Sequence, residues 1–236
     1  LMIRSFLALR SIDPGFVAPQ QVQTFRISIP EAQVPDPERA AQMQRDILSE
    51  VEKIPGVASA AFATALPMEM EFENNMVVTA EDKTYGEGIP PLRRSKSVAP
   101  GLFKTLGIPL IAGRDFTWAD VFERRRVVVV SNSMARELWG EPWAAIGKRV
   151  RIGRVGTLNE IVGVVGDIYD SGVDQAPPAI VYWRAGIQDG FGPLRSFIPR
   201  QTTFAIRSRQ AGSDALLRQL SRAVWAVNAD LPLARV

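Results

Sequence analysis

The sequence contains neither cysteine nor histidine, and these two absences remove most of the common catalytic chemistries. Without cysteine there is no thiolate nucleophile, no disulfide and no cysteine-bound zinc. Without histidine the commonest general base, the Ser-His-Asp triad and imidazole metal sites are all missing. Acid–base chemistry would have to rest on carboxylates, lysine or tyrosine. We therefore predict that the chain is not an enzyme, with no catalytic residues, no bound metal and no cofactor.

A long hydrophobic run is also missing. The longest tight one, Val127 to Val130, is the size of a buried strand and far below the roughly 18 residues of a membrane span. Hydrophobic residues make up 46% of the 236 residues and charged residues 22%. This is the composition of an ordinary globular chain, long enough for one large domain or two smaller ones.

The charge balance is nearly even, with 28 basic and 25 acidic residues. A protein that binds nucleic acid usually carries a basic stripe, whereas the densest cluster here is Arg124 to Arg126. We interpret this cluster as the exposed flank of a strand and predict no nucleic-acid partner. A nucleic-acid module remains an alternative that steeply salt-dependent DNA binding would support.

Two strand-helix-strand units are predicted, one near each end of the chain. In the first, alternation from Val22 indicates a strand, Asp36 and Pro37 cap an amphipathic helix, and Val57 to Ala65 forms the second strand. In the second, Thr202 to Arg207 alternates, a helix follows, and a strand begins after Pro232. Paired units of this kind are typical of a split βαβ fold.

We therefore predict an α+β fold with two lobes. Residues 20–66 and 200–236 form a discontinuous ferredoxin-like lobe, and residues 67–199 form an inserted small α/β lobe. Short strands and helices fill the insert, and Gly186 to Pro199 is predicted to be a long surface loop because it lacks periodicity. The five tryptophans are expected to anchor the core or the contact between lobes. They are Trp118, Trp139, Trp143, Trp183 and Trp225.

Two groups of carboxylates are the nearest approach to a reactive site. The first group is Glu69, Glu71 and Glu73, and the second is Asp167, Asp170 and Asp174. Paired carboxylates can serve acid–base or Mg²⁺ chemistry, so a soluble carboxylate-dependent hydrolase is the alternative function. We interpret the glutamates as a charged strand edge and the aspartates as turn residues.

A series of segments in the middle of the chain closely resembles the MacB-like periplasmic core domain of FtsX/MacB-type ABC transporter permeases. These segments are Ser97 to Phe103, Leu106 to Pro109, Ala112 to Phe116, Val128 to Asn132 and Ile161 to Asp167. Further matches are Leu138-Trp139 and Gly147 to Arg149, and the order of the series is more specific than any one motif. Arg114 and Asp115 are expected to pair across a turn. Leu102, Ser131 and Gly140 depart from the family pattern.

The resemblance implies a non-catalytic periplasmic domain of a permease in the cell inner membrane. In such permeases ATP is hydrolysed on a separate cytoplasmic ATP-binding subunit or domain, and this domain would couple that reaction to extracytoplasmic motion. Residues 1–19 would be a juxtamembrane segment, because the stretch before Phe16 looks like the exit of a first membrane helix. Partners implied are the flanking transmembrane helices, a second copy in a homodimer and an extracytoplasmic protein.

Overall fold

The computed structural model describes residues 14–69, 74–188 and 197–234. Within these ranges the chain forms ten strands and five α-helices. The helices are α1 (Pro37–Glu52), α2 (Leu102–Leu106), α3 (Trp118–Phe122), α4 (Asn132–Trp139) and α5 (Asp214–Val227). The strands are β1 (Val22–Ser28), β2 (Val57–Ala63), β3 (Asn75–Ala80), β4 (Leu92–Val98), β5 (Leu110–Gly113), β6 (Val127–Ser131), β7 (Arg149–Ile152), β8 (Asn159–Val165), β9 (Ile180–Arg184) and β10 (Gln201–Ser208).

The two ends of the described chain meet in an antiparallel sheet, β1–β10–β2, which we call the terminal sheet. Phe25 lies opposite Phe204, and the two rings stack at 5.0 Å with Phe62 on the other side of Phe204 at 5.1 Å. The apolar stripes of α1 and α5 bury themselves in the same core, because both helices repeat apolar residues at three- and four-residue steps. An isolated bridge joins Ala234 to Arg26 on the outer side of β1.

The remaining strands, apart from β5, close on themselves in a ring of six in the order β4–β3–β7–β8–β6–β9, with β9 returning to β4. Strands β6 and β8 run parallel, as do β4 and β9, and the other pairings in the ring are antiparallel. Val128 and Val130 belong to one apolar core and Val127 and Val129 to another, so β6 is buried on both faces. This explains its unbroken run of valines.

Among the described residues, strand pairing connects the terminal sheet to the ring at one place, although the two share an apolar core. Strands β2 and β4 share a single pair, Ala63 opposite Val98. Two backbone hydrogen bonds flank that pair, from Ala99 N to Phe62 O at 2.8 Å and from Thr64 N to Ser97 O at 2.9 Å. The sheet is therefore continuous across the molecule but narrow at this joint.

Several local expectations differ from the structure. Strand β5 and helix α3 were not expected. The predicted surface loop from Gly186 is wrong at both described flanks, because Ile187 and Ile198 are buried and Gln188 pairs with Phe197. The middle of that loop, and the predicted helix over residues 1–13, lie outside the described residues. Of the strand that was predicted after Pro232, the described part is the bridge at Ala234.

The tryptophans do not act as one set of core anchors. Trp183 is 8% exposed and lies in the ring, whereas Trp143 is 67% exposed and Trp225 is 50% exposed. Trp118 is partly buried and stacks with Phe122. The exposed position of Trp143 follows from its place in the short 3-10 helix Pro142–Ala145, which turns Pro142 and Ala145 inward instead.

Candidate functional site

A cavity with a volume of about 600 Å³ lies between the ring and the terminal sheet. Its apolar wall continues the ring core and comes from Met76 on β3, Ile152 on β7 and Trp183 on β9. Thr64 and Gln201 contribute the wall on the side of the terminal sheet. A cavity of this size is in the range of small-molecule sites.

Polar groups are set into this apolar wall at defined positions. The indole Nε1 of Trp183 donates to Ser95 Oγ at 2.8 Å, which fixes the ring plane of the tryptophan. Ser97 Oγ donates to Arg184 O at 3.1 Å. Asn159 Nδ2 donates to Thr157 O at 2.8 Å, on the loop that closes one side of the cavity. The wall therefore presents both donors and acceptors beside apolar surface.

The charged side chains that line this cavity, within the described residues, are Arg26, Arg126 and Arg184. Arg26 is 7% exposed and donates to Thr203 Oγ1 at 2.7 Å, with Glu69 Oε2 at 3.8 Å. Arg184 is 6% exposed and donates through Nε to Arg125 O at 2.8 Å. Arg126 is exposed, and so are its neighbours Arg124 and Arg125, as expected for a strand flank.

A second polar centre is the buried ion cluster, which we define as Arg94, Lys96 and Asp170. Lys96 Nζ lies 2.5 Å from Asp170 Oδ1, and Arg94 Nε lies 3.2 Å from Asp170 Oδ2. Lys96 also donates to Leu66 O at 3.1 Å. Burial lowers the pKa of Lys96, and the attraction of Asp170 opposes that shift. The cluster thus links β4, the segment after β2 and the loop after β8.

Tyr182 belongs to the same buried region. Burial raises the pKa of its phenol well above the ordinary value, and Asp170 and Asp167 add to that effect because a second negative charge nearby is unfavourable. The ring contacts Phe103 edge-on at 5.0 Å. The hydroxyl is therefore neutral at physiological pH.

The segment that leads into β1 is bound to the loop after β8 and to the end of α2. Tyr169 N donates to Pro14 O at 3.1 Å, and Val17 N donates to Leu106 O at 2.9 Å. Gly15 has a φ of 84°, and a Cβ there would lie 2.1 Å from Asp167 O. Glycine is therefore required for this close approach of two backbones.

The carboxylates singled out from the sequence are separated rather than gathered into one centre. Glu69 accepts from Leu66 N and Thr203 Oγ1, whereas Glu71 and Glu73 lie outside the described residues. Asp167 accepts from Ser133 N at 2.7 Å at the start of α4. Asp170 lies in a bend after β8, as the turn interpretation expected, but it is also 2% exposed and neutralises buried cations.

No group of three or more potential metal ligands occurs among the residues that the structure describes. In the same ranges, no helix is both long enough and apolar enough to cross a membrane.

Comparison with known families gives the identity of the fold. The model of the MacB-like periplasmic core domain matches residues 8–223. The chain belongs to this family. It is accordingly an extracytoplasmic domain of a MacB-type ABC transporter permease. A search of curated proteins found no match.

Two solved structures share the fold of this MacB-like domain. The periplasmic region of MacB from Actinobacillus actinomycetemcomitans is 13% identical with a TM-score of 0.55, covering 94% of this chain and 90% of that one. The extracellular domain of the noncanonic ABC-type transporter YknZ from Gram-positive bacteria is 13% identical with a TM-score of 0.51, covering 90% of this chain and 100% of that one.

The motifs that carry the family resemblance hold the MacB-like domain together. The predicted pairing of Arg114 with the side chain of Asp115 is wrong. Arg114 instead binds the buried Asp120 through two guanidinium nitrogens, at 2.6 and 3.1 Å. Thr117 Oγ1 caps α3 by accepting from Asp120 N at 3.2 Å, and Thr117 N and Oγ1 each donate to the Asp120 carboxylate at 2.8 Å. Burial raises the pKa of Asp120, but Arg114 and Thr117 outweigh burial and hold it below its ordinary value. Ser131 caps α4 and accepts from Ile180 N at 2.9 Å.

Proposed function

We propose that this domain is non-catalytic and transmits motion between the membrane part of a permease and the extracytoplasmic side. In this proposal residues 20–66 and 200–236 form a ferredoxin-like lobe, and residues 67–199 form a second lobe built around the ring. The strand order of the terminal sheet, with Ala234 beside β1, supports the first lobe. The joint between β2 and β4 is where the two lobes would move.

The observation that carries the proposal is the direction of the chain at both ends of the terminal sheet. Residues 14–21 lead into β1 at Val22. The Ala234 bridge to Arg26 is antiparallel, so the chain at Ala234 runs toward the Val22 end of β1. Both connections therefore leave from one end of one lobe, and helices attached there would move that lobe as a unit.

The partners follow from this arrangement. The flanking transmembrane helices would drive the terminal sheet, powered by a cytoplasmic ATP-binding subunit or domain. The ring would act on an extracytoplasmic protein or on cargo, and two copies of the permease would work as a homodimer. Among the candidate carboxylates, Glu69, Asp167 and Asp170 are engaged in structural bonds, which favours a coupling role.

A disulfide across the joint tests the proposal in the parent permease. The chain has no cysteine, so Thr64→Cys with Ser97→Cys introduces one isolated pair. Thr64 N donates to Ser97 O, and the two residues continue the register of Ala63 and Val98. Oxidation should abolish the phenotype that the intact permease confers, leave ATP hydrolysis largely present, and be reversed by dithiothreitol.

The matched control is Ser28→Cys with Gln201→Cys, an exposed opposite pair within the terminal sheet. Its disulfide should form equally well and leave the phenotype intact, because no motion is expected inside one sheet. Retention of the phenotype with the joint fully crosslinked would contradict the proposed coupling.

A further inference from the structure

Strand β2 has a free edge next to its joint with β4. The last ladder bond between these two strands runs from Ala99 N to Phe62 O at 2.8 Å. After Pro100 the chain enters α2, and Gly101 N, the next donor in line, bonds to Asp115 Oδ2 at 3.1 Å instead of to β2. The described residues provide no other strand along this edge, because β10 pairs with the opposite side of β2.

Ala60 presents its backbone groups to this free edge. Along an antiparallel strand, successive residues direct their N–H and C=O groups to opposite sides. Phe62 bonds to Ala99, away from β10, so Ala60, two residues earlier, faces the same way. Ala60 is 4% exposed, and its N–H and C=O meet no partner strand within the described ranges. A buried backbone group without a partner is costly, which points to a ligand that supplies one.

The free edge forms one wall of a cleft of about 330 Å³. Val57 to Ala60 line it from β2, and the rest of the lining is Glu52, Pro100, Gly101, Lys104 and Thr105. Thr105 is fully buried, and its hydroxyl has no hydrogen-bond partner among the residues that the structure describes. The cleft therefore brings together an unpaired strand edge and a residue with an unpaired hydroxyl.

We propose that this cleft binds an extended peptide segment of another protein, which pairs with β2 as an added strand. Its backbone exchanges hydrogen bonds with the N–H and C=O of Ala60, the recognition mode known as β-strand addition. The side chains of Ala58, Ser59 and Ala60 are small, so they leave room for those of the added segment. The register shift between Arg207 and Ser208 ends the regular edge beyond Ser59, so the paired segment is short.

A single extended segment suits this edge better than a second copy of the chain. Two folded sheets that pair edge to edge need long, flat, exposed strands. Here the unpaired length is confined to the residues between the joint at Ala63 and the register shift after Arg207, and it lies inside a cleft. Because the contacts are made to the backbone, the extended shape of the segment matters more than its exact sequence.

The test uses the isotope-labelled 236-residue chain and a heptapeptide of alternating threonine and valine. We expect saturable NMR shifts of the Ala60 amide and slower hydrogen exchange there, because this amide becomes a hydrogen-bond donor. The same peptide methylated at every backbone nitrogen cannot donate, so it should bind at least about tenfold more weakly. Equal binding of the two peptides, or no shift at Ala60, would overturn strand addition.

Two substitutions locate the site, with affinity measured by the fluorescence anisotropy of a labelled peptide. Ala60→Pro removes the donor that faces the cleft and spares the ladder with β10, since proline is accepted where its nitrogen faces an open edge. It should weaken binding at least about tenfold. Thermal melts establish that this variant is folded, and a folded Ala60→Pro that binds like the parent would contradict the site.

Thr105→Val provides a second variant that does not touch the strand. It removes the unpaired hydroxyl and keeps a similar shape, so the melting temperature of the free chain should be unchanged or higher. Binding of the peptide should weaken, because the hydroxyl then has no chance to pair with the added segment. A lower melting temperature with unchanged binding would assign the hydroxyl to the fold and remove it from the site.

The matched control is Ala60→Ser, which keeps the backbone donor and should bind the peptide like the parent. Sedimentation of the chain without peptide should show a monomer. A concentration-dependent dimer that slows exchange at Ala60 would assign the edge to a second copy and overturn the proposal. These measurements need neither ATP nor a membrane, so their outcome is independent of the proposed coupling function.

Discussion

The helix-covered face of the terminal sheet and the ring region bury different kinds of side chain. The terminal sheet is held on its helix-covered face by apolar groups, with the stacked rings of Phe25 and Phe204 at its centre. The ring region encloses ions as well, since Lys96 and Asp170 are 3% and 2% exposed. Apolar packing tolerates small shifts, whereas a buried ion pair requires its partner at hydrogen-bond distance. The comparison therefore teaches that the helix-covered face of the terminal sheet can accommodate small shifts, whereas the ion cluster fixes β4 relative to the loop after β8.

The largest expected effect on the free energy of unfolding is in the terminal sheet. Phe204→Ala removes the ring that contacts both Phe25 and Phe62 in a fully buried site, and we expect a loss of about 3–5 kcal/mol in the free energy of unfolding. Val130→Ala in the ring, equally buried, should cost about 1.5–3 kcal/mol.

Calorimetry of both variants also tests whether the terminal sheet and the ring unfold together. We expect one transition that both substitutions lower, because the sheet is continuous through Ala63 and Val98. Two separate transitions, of which Phe204→Ala lowers only one, would show that the joint does not transmit cooperativity.

The next effect concerns the buried ion cluster. Asp170→Leu leaves the charge of Lys96 buried without its carboxylate, and we expect a loss of about 3–5 kcal/mol in urea denaturation. Adding Lys96→Met should recover most of that loss, because the double variant buries no unpaired lysine. If the double variant is as unstable as Asp170→Leu, apolar groups do not substitute for the cluster. The loss of stability would then come from Arg94, which also pairs with Asp170.

The smallest effect is at the rim of the ring. The hydrogen bond from Lys148 is the main cause of the lowered pKa of Asp82. Partial burial opposes this shift, and the hydrogen bond from Trp139 Nε1 adds to it. Asp82→Asn should cost less than about 1 kcal/mol at pH 7, because the pair is partly exposed.

The pH dependence of this difference has a definite sign. A lowered pKa in the folded state stabilises above the ordinary value of 3.8, and the stabilisation is lost as the pH falls through the folded value. The parent and Asp82→Asn should therefore converge in acid. Glu87→Gln, at an exposed position on the following loop, serves as the control for the loss of one surface carboxylate.

The local elements were predictable where periodicity and capping agree. Helix α1 begins after Asp36, whose carboxylate accepts from Glu38 N at 3.0 Å, and its buried face includes Met43, Ile47 and Val51, as expected for an amphipathic helix. The order of the middle motifs was sufficient to predict the family, which the match over residues 8–223 confirms. The exposed strand flank at Arg124 was also expected.

The candidate site was not predictable in the same way. Ser95 and Trp183 are distant in the chain, and they share a cavity wall because β4 pairs with β9. Strand β5 was not predicted, because its pairing with β8 depends on a close approach of two backbones. A Cβ on Gly163 would lie 2.2 Å from Arg114 O. A glycine within a strand was the signal for it.

By itself the sequence determined the character of each element: which face is apolar, where a helix begins, and that no thiol or imidazole chemistry is possible. These properties depend on residue type and on neighbours within a few positions. The tertiary structure alone decided that β4 lies between β3 and β9, that Asp170 neutralises Lys96, and that Arg114 binds Asp120 instead of Asp115. Those choices depend on which distant segments exclude water from one another, a property of the assembled chain that no local pattern records.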